Sequence, residues 1–595
     1  MTSLVSLIIL AVAPPCAQAD GFRDRLPEDE IIYFLLPDRF DNGDPGNDRG
    51  GLEGDRVQTG FDPTLKAFYH GGDLKGLNDR LDYIQNLGAT AIWVAPIFKN
   101  KAVQGAPGQE TAGYHGYWVT DFTQVDPHFG TNADFKALVA AAHKRGMKVY
   151  MDIITNHTAD VIAYAECPNG GCPYRSRADF PYQLRAKDGA AINPGFEGDS
   201  LQTLANFSKL NETDYAYQVV VPPAEAQIKV PAWLNDPIYY HNRGDTTYWN
   251  ESATMGDFSG LDDLMTENPL VIQGMIGIYG KWIDEFGVDG FRIDTARHVN
   301  PEFWQAFVPA MLARAKAKGI ANFHIFAEIG SVELEPGKLA LHTKVDGFPA
   351  TIDFAFRRAV LDTVSGSGTN KLWELFFQDP LYPNGEATAR QQPTFISSHD
   401  HGRLGFYIRK AMPEISDSEL LERVKLAHAL MLTLRGVPTL YAGDEQGFVG
   451  DGWDKDARES LFASKVADYN DNRLLGTKNT TAQANFDLNH PLYRYIAELA
   501  ALRRAHPALR RGEQKVRNYS DAPGLFAVSR IDPASGEEIL LVFNTALSAL
   551  NANVELGTKA KSLTPLYGQC PTTPRPAGSI AVALPPLGFI ACQIN

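Results

Sequence analysis

The sequence predicts an α/β protein: a (β/α)8 barrel with an inserted domain after its third strand, followed by a C-terminal antiparallel β-sandwich. Three observations carry this reading. Short β-rich apolar runs recur with amphipathic helical patterns between them, the alternation that builds a parallel sheet. The interval from His157 to about Asp257 is rich in Pro, Gly, Asn, Asp and Tyr and shows little helical periodicity. It is too long for a simple connection and must carry structure of its own. After about Arg510 the pattern turns to short runs, such as Leu525–Ser529, Ile539–Phe543 and Ile580–Leu584, separated by Gly, Pro and Asn turns.

The chain has 595 residues and 44% hydrophobic content, enough for a large core and more than one domain. The expected order is a signal peptide (1–19), the first part of the barrel (20–156), the inserted domain B (157–257), the rest of the barrel (258–509) and the sandwich (510–595). The leader is read from the apolar run Leu4 to Val12, the Pro14-Pro15 pair and the small-residue pattern Ala17-Gln18-Ala19 before Asp20. It lacks a Lys or Arg near Met1, and its apolar run is too short to span a membrane. Secretion or export to the periplasm is therefore expected, with no membrane span. Cys16 leaves with the leader, and the remaining four cysteines are predicted to pair as Cys167–Cys172 and Cys570–Cys592. The net charge of −16 argues against a nucleic-acid partner, which needs a basic face.

The barrel strands are placed at Ile31–Leu36, Ala91–Ala95, Lys148–Ile153, Gly290–Ile293, His324–Ala327, Thr351–Phe354, Thr394–Ile396 and Thr439–Tyr441. One helix is explicit. Thr131 or Asn132 caps it, Phe135, Leu138, Val139 and Ala142 form its apolar face, and Gly146 ends it.

Three of the strand segments end in carboxylates: GFRIDTARH (Gly290–His298), IFAEIG (Ile325–Gly330) and FISSHD (Phe395–Asp400). A carboxylate where a buried strand emerges is costly unless it is hydrogen-bonded or used. Asp294, Glu328 and Asp400 thus point to a site at the strand ends of the barrel. Two carboxyl groups flanking a bond are the standard equipment for breaking a glycosidic linkage. Arg292 lies two residues before Asp294, on the same side of the strand, and is expected to keep it ionised. Glu328 follows an apolar run that favours its protonated form.

With MDIITNH (Met151–His157), these segments resemble the four signatures of the α-amylase family, glycoside hydrolase family 13, in the right order and over almost the whole mature chain. The resemblance implies a retaining mechanism with Asp294 as nucleophile, Glu328 as general acid/base and Asp400 as transition-state stabiliser. It implies that Arg292, His157 and His399 line the sugar subsite at the cleavage point, with Tyr117 of YHGYW as its stacking platform. It implies Arg403 near the neighbouring subsite, and Arg297 and His298 among the substrate-binding residues. Two departures stand out: Ser398 where Asn usual to the family precedes the His, and Arg297 where Lys is usual. Arg forks its hydrogen bonds where Lys is a point charge. The resemblance also implies Ca2+. A first ion would use Asn42, Asp44, Asn47 and Asp48 of DNGDPGND, with Gly71 and Asp73, hard oxygen donors of the kind calcium takes. A second would use Asn156, Asp263 and the backbone of His298. Trp93 reads as core; Trp118, Trp233, Tyr239, Tyr240 and Trp249 are equally core or sugar-stacking residues.

The expected function is hydrolysis of α-1,4-linked, starch-like glucan by a monomer. The alternatives are an α-glucanotransferase, a hydrolase of cyclodextrins or pullulan, and, remotely, a non-catalytic binding homologue. The last loses ground because all three carboxylates are present.

Overall fold

Eight parallel strands follow one another along the chain: β1 (Ile32–Leu35), β2 (Ala91–Val94), β3 (Lys148–Ile153), β4 (Gly290–Ile293), β5 (His324–Ala327), β6 (Ala350–Thr351), β7 (Pro393–Thr394) and β8 (Val437–Tyr441). The computed structural model describes residues 21–168, 170–556, 560–572 and 578–595, so the expected leader and Cys16 lie outside the described residues. Pairing runs β6-β5-β4-β3-β2-β1-β8-β7, and a parallel bridge between Asp353 and Thr394 joins the two ends into a barrel. Every residue of β1, β2, β4 and β5 is buried, as expected of parallel strands covered by helices outside and side chains within. Gly290 opens β4 because a Cβ there would lie 2.3 Å from the His324 carbonyl oxygen.

Strands β6 and β7 are shorter than predicted. Asp353, expected inside β6, instead caps the helix Phe354–Val364 and accepts a hydrogen bond of 2.8 Å from the Phe356 N–H. A side-chain cap satisfies a free helical donor, so the chain turns from strand to helix directly after the Asp353–Thr394 bridge. The explicit helix runs Asn132–Lys144 with Thr131 as its cap, and its four predicted apolar residues are buried. Gly146 adopts φ 69° just beyond its end.

The segment between β3 and the helix Pro269–Phe286 has little regular structure. Its two ends are tied by an antiparallel pairing of His157–Thr158 with Asp262–Asp263. Arg243 is fully buried within it, 4.4 Å from the Tyr182 ring centroid and 5.0 Å from that of Tyr215. Both predicted disulfides are present, Cys167–Cys172 here and Cys570–Cys592 in the C-terminal unit.

That unit pairs β9 (Glu513–Asn518), β10 (Leu525–Ile531), β11 (Glu538–Asn544), β15 (Phe589–Ile594) and β13 (Leu563–Tyr567) in one antiparallel sheet. A second sheet pairs β12 (Leu550–Glu555) with β14 (Ser579–Leu584), and Leu540, Val542, Val554 and Val582 share the core between them. Buried Arg503 fastens the barrel's last helix by donating to the carbonyls of Leu432, Leu434, Gly436 and Leu509. Among the described residues no helix is long and apolar enough to cross a membrane.

Candidate active site

The pleat of β4 sends Phe291 and Ile293 one way and Arg292 the other, into the barrel, where it is 1% exposed. Its guanidinium organises the strand ends. Nη1 donates to Asp294 Oδ1 at 2.8 Å and to Asp152 Oδ1 at 2.8 Å, and Nη2 lies 2.7 Å from Glu328 Oε2. Asp152 sits opposite Arg292 in the β3–β4 register and also accepts from Trp93 Nε1 at 3.0 Å. A polar layer thus crosses four adjacent strands, from Trp93 on β2 to Glu328 just past β5.

The turn after Asp294 is strained. Thr295 has φ 43°, a left-handed conformation that is rare for a β-branched residue. In return its N–H reaches Glu328 Oε2 at 3.0 Å, and the next N–H, of Ala296, bonds the Glu328 carbonyl at 3.1 Å. Strain at this turn therefore fixes Asp294 and Glu328 relative to each other.

Asp400 approaches from beyond β7. Arg458 Nη2 donates to its Oδ1 at 2.9 Å, and His399 Nε2 is 3.1 Å from its Oδ2. Arg458 also donates to the His399 carbonyl and to the Tyr114 hydroxyl. The Tyr117 hydroxyl is 2.8 Å from His399 Nε2 and 3.3 Å from Asp152 Oδ2.

Burial and charge act in opposite directions on these carboxyls. Burial drives Asp294 well above the ordinary carboxylate range, against the pull of Arg292. Asp152 is pushed up to about 7 by burial against the same guanidinium. Arg292 thus pulls Asp294 toward the charged form, as expected, but does not offset its burial, because the same guanidinium also serves Asp152 and Glu328. Burial would also raise Asp400, but His399 and Arg458 outweigh it and hold that carboxyl below its usual range. Burial lowers His157 to about 4 and His399 to about 3, so both imidazoles are neutral near pH 7.

The cleft above this layer has two lobes. One, of about 580 Å3, is lined by Asp294, Asp400, His157, Tyr114, Tyr117, Trp118, Trp453 and Arg458. The other, of about 490 Å3, is lined by Arg297, His298, Trp249, Val332, Lys338 and His401. Tyr248, Phe258, Thr295 and Glu328 line both, so Glu328 stands on the divide. Arg292 and His399 lie beneath the lining. Arg403 is not brought to the cleft: it is fully buried, 2.9 Å from Asp444 and 3.1 Å from Glu459, with its guanidinium 4.0 Å from the Tyr441 ring centroid. Trp118 and Trp249 line the cleft, whereas Tyr240 is buried and donates its hydroxyl to the Leu234 carbonyl.

Sequence reasoning missed Asp152 and Arg458. Asp152 lies inside the quoted MDIITNH, and its inward side of β3 was the available signal. Arg458 carries no such signal, since only the fold brings it to Asp400.

The first expected calcium loop fits a hard cation. The Oδ1 atoms of Asn42 and Asn47 are buried and accept no hydrogen bond. Burial raises the Asp48 carboxyl, with repulsion from Asp73 and Asp44 adding to it. Gly71, at φ 100°, keeps the space clear, because a Cβ there would lie 2.6 Å from Asp48 Oδ1. Asp73 serves the loop itself, accepting from Gly43, Asp44 and Gly76 N–H groups and from Asn47 Nδ2. Among the described residues no three His, Cys, Asp or Glu side chains gather into a metal-binding group, so the fit rests on the two open amide oxygens. At the second expected site Asn156 Oδ1 is open, but Asp263 Oδ2 is 2.6 Å from His241 Nδ1. Burial and the Glu267 charge act oppositely on His241, which ends raised to about 10 and stands as a cation between Asp263 and Glu267. The second site therefore fits a calcium ion less well than the first.

Comparison with known proteins gives a consistent result. The family model described as "Alpha amylase, catalytic domain" matches residues 34–512. An alpha-amylase of Streptomyces lividans is 46% identical over 536 residues, which cover 90% of this chain and 57% of that protein. A cyclomaltodextrin glucanotransferase of Klebsiella oxytoca is 27% identical over 512 residues, covering 81% of this chain and 66% of its own length. This chain thus spans little more than half of the first relative and less than two thirds of the second. Among solved structures, an Anoxybacillus alpha-amylase superposes with a TM-score of 0.69 at 26% identity, covering 96% of this chain and 98% of that one.

Proposed function

Because the chain belongs to the alpha-amylase family, glycoside hydrolase family 13, we propose that it is a retaining glycosidase that hydrolyses α-1,4 bonds of starch-like glucans. The observation that carries the reading is the shared guanidinium: Asp294 and Glu328 both bond Arg292, with Asp400 facing them across the same lobe. Two carboxyls on one guanidinium fit the short separation of a retaining pair, about 5–5.5 Å, better than the wider gap of an inverting one.

The larger lobe holds the sugar whose anomeric carbon reacts. Asp294 attacks that carbon while Glu328 passes its proton to the glycosidic oxygen, and the leaving chain departs through the smaller lobe. Glu328 then takes a proton from water, whose oxygen attacks the same carbon and frees Asp294. The productive microstate has the cluster's proton on Glu328 and Asp294 ionised, a property of the coupled group rather than of either acid alone. Asp400, kept charged by Arg458, stabilises the positive charge developing at the ring. Asp152 shares Arg292 Nη1 with Asp294 and helps to hold the guanidinium in place.

The smaller lobe, walled by Trp249 and Phe258, also has room for an acceptor sugar, which supports glucanotransfer as a second reading. Incubating the protein with starch, cyclodextrin, pullulan and maltotriose separates the two. Shorter linear products of retained configuration are expected. Cyclic products, or chains longer than maltotriose, would favour transfer, and no cleavage of any α-glucan would refute both.

The loop of Asn42, Asp44, Asn47 and Asp48 with Gly71 would hold Ca2+, whose charge relieves the crowded carboxylates and braces the chain following β1. Chelation is expected to lower the melting temperature by several degrees, about what loss of 1–3 kcal/mol of linked binding energy causes in a large domain. An unchanged melting curve after exhaustive chelation would remove the assignment. Two disulfides support residence in an oxidising compartment, secreted or periplasmic.

A further inference from the structure

Asp400 and His401 are consecutive, yet they serve opposite sides of Glu328. Asp400 lines the lobe with Asp294, and His401 lines the lobe with Arg297. His401 is also held with care. Its N–H donates to Ser398 Oγ at 3.0 Å, and its carbonyl accepts from Arg357 Nη2 at 2.7 Å. Its ring meets Phe354 edge-on at 4.9 Å. Nδ1 lies 3.5 Å from Ser398 Oγ, which leaves Nε2 as the ring nitrogen available to the lobe. Burial lowers the affinity of the imidazole for a proton, so it stays neutral near pH 7 and can donate or accept. Ser398, one of the two departures in the signature segments, thus joins Arg357 and Phe354 in setting the position of His401.

We propose that His401 is a specificity-determining residue whose Nε2 hydrogen-bonds a hydroxyl of the glucose unit on the leaving side of the scissile bond. This rests on the glycosidase reading and deepens it. A sugar in the smaller lobe would lie between the Trp249 wall and the imidazole, beside the proton donor it needs. The same contact would hold an acceptor sugar during transfer.

The test compares a maltooligosaccharide that fills both lobes with α-maltosyl fluoride, whose leaving group is too small to reach His401. For His401→Ala, kcat/KM on the oligosaccharide is expected to fall about 10-fold, the scale of one lost hydrogen bond to substrate, with most of the change in KM. Turnover of the fluoride should stay within about twofold, which also reports that the variant is folded. His401→Gln, whose amide nitrogen reaches near the position of Nε2, should recover most of the loss. Equal losses on both substrates, or no loss on either, would overturn the proposal. If the wild-type protein cleaves neither substrate, the glycosidase reading falls first.

Discussion

Asp294→Asn and Glu328→Gln are each expected to lose about 10^3-fold or more in kcat on starch while melting within a few degrees of the wild type. Asn keeps the shape of Asp294 and can still bond Arg292 through its oxygen, but it cannot form the covalent intermediate. Gln keeps the bond from the Thr295 N–H to residue 328 but has no proton to give. The two variants should differ on α-maltosyl fluoride, whose departure needs no protonation. Glu328→Gln should keep its first step there, and Asp294→Asn should not. Rapid mixing would resolve this as a burst of fluoride from the Gln variant alone. Near-normal turnover of starch by either variant would refute the assigned roles.

Replacing Arg292 by Met should be the more disruptive change. It leaves Asp152 and Asp294 buried, and Glu328 beside them, without their shared cation, and removing one partner of a buried charge pair typically costs about 3–5 kcal/mol. The pH dependence follows from the directions of the shifts. Burial raises Asp294 and Arg292 opposes it, so loss of the guanidinium raises it further. The acid limb of kcat/KM should therefore move to higher pH. Stability follows the same sign. Asp152 is raised by burial to about 7, so between the ordinary carboxylate range and that pH the native state binds a proton that the unfolded chain has released. Stability falls as pH rises through this window, and the fall should be steeper and reach higher pH in the variant. Denaturant titrations from pH 4 to 9 would measure it. A variant whose stability rose with pH would show that Arg292 is not the cation balancing this cluster.

How much of this was legible beforehand depended on whether the information was local. The alternation of β4 placed Arg292 and Asp294 on one side because a strand has a period of two whatever it pairs with. The capped helix at Thr131 was equally readable, since its cap, face and terminating glycine lie within one short stretch. The end of β6 is not legible locally: Thr351–Phe354 is apolar enough for a strand, and only the helix that follows shows Asp353 acting as its cap.

The three carboxylates and the barrel that carries them were thus contained in the order of the residues, because apolar runs, strand alternation and caps act over a few positions. Arg403 lies only three residues beyond FISSHD, yet it is drawn into a buried pairing with Asp444 and Glu459 rather than to the cleft. The folded chain alone set the β3–β4 register that pairs Asp152 with Arg292, the approach of Arg458 to Asp400, and the sharing of one guanidinium among three acids. It also divided the cleft at Glu328, with Asp400 on one side and His401 on the other. Pairing register, loop closure and burial join residues far apart in the chain, and the charge state of each acid depends on those partners.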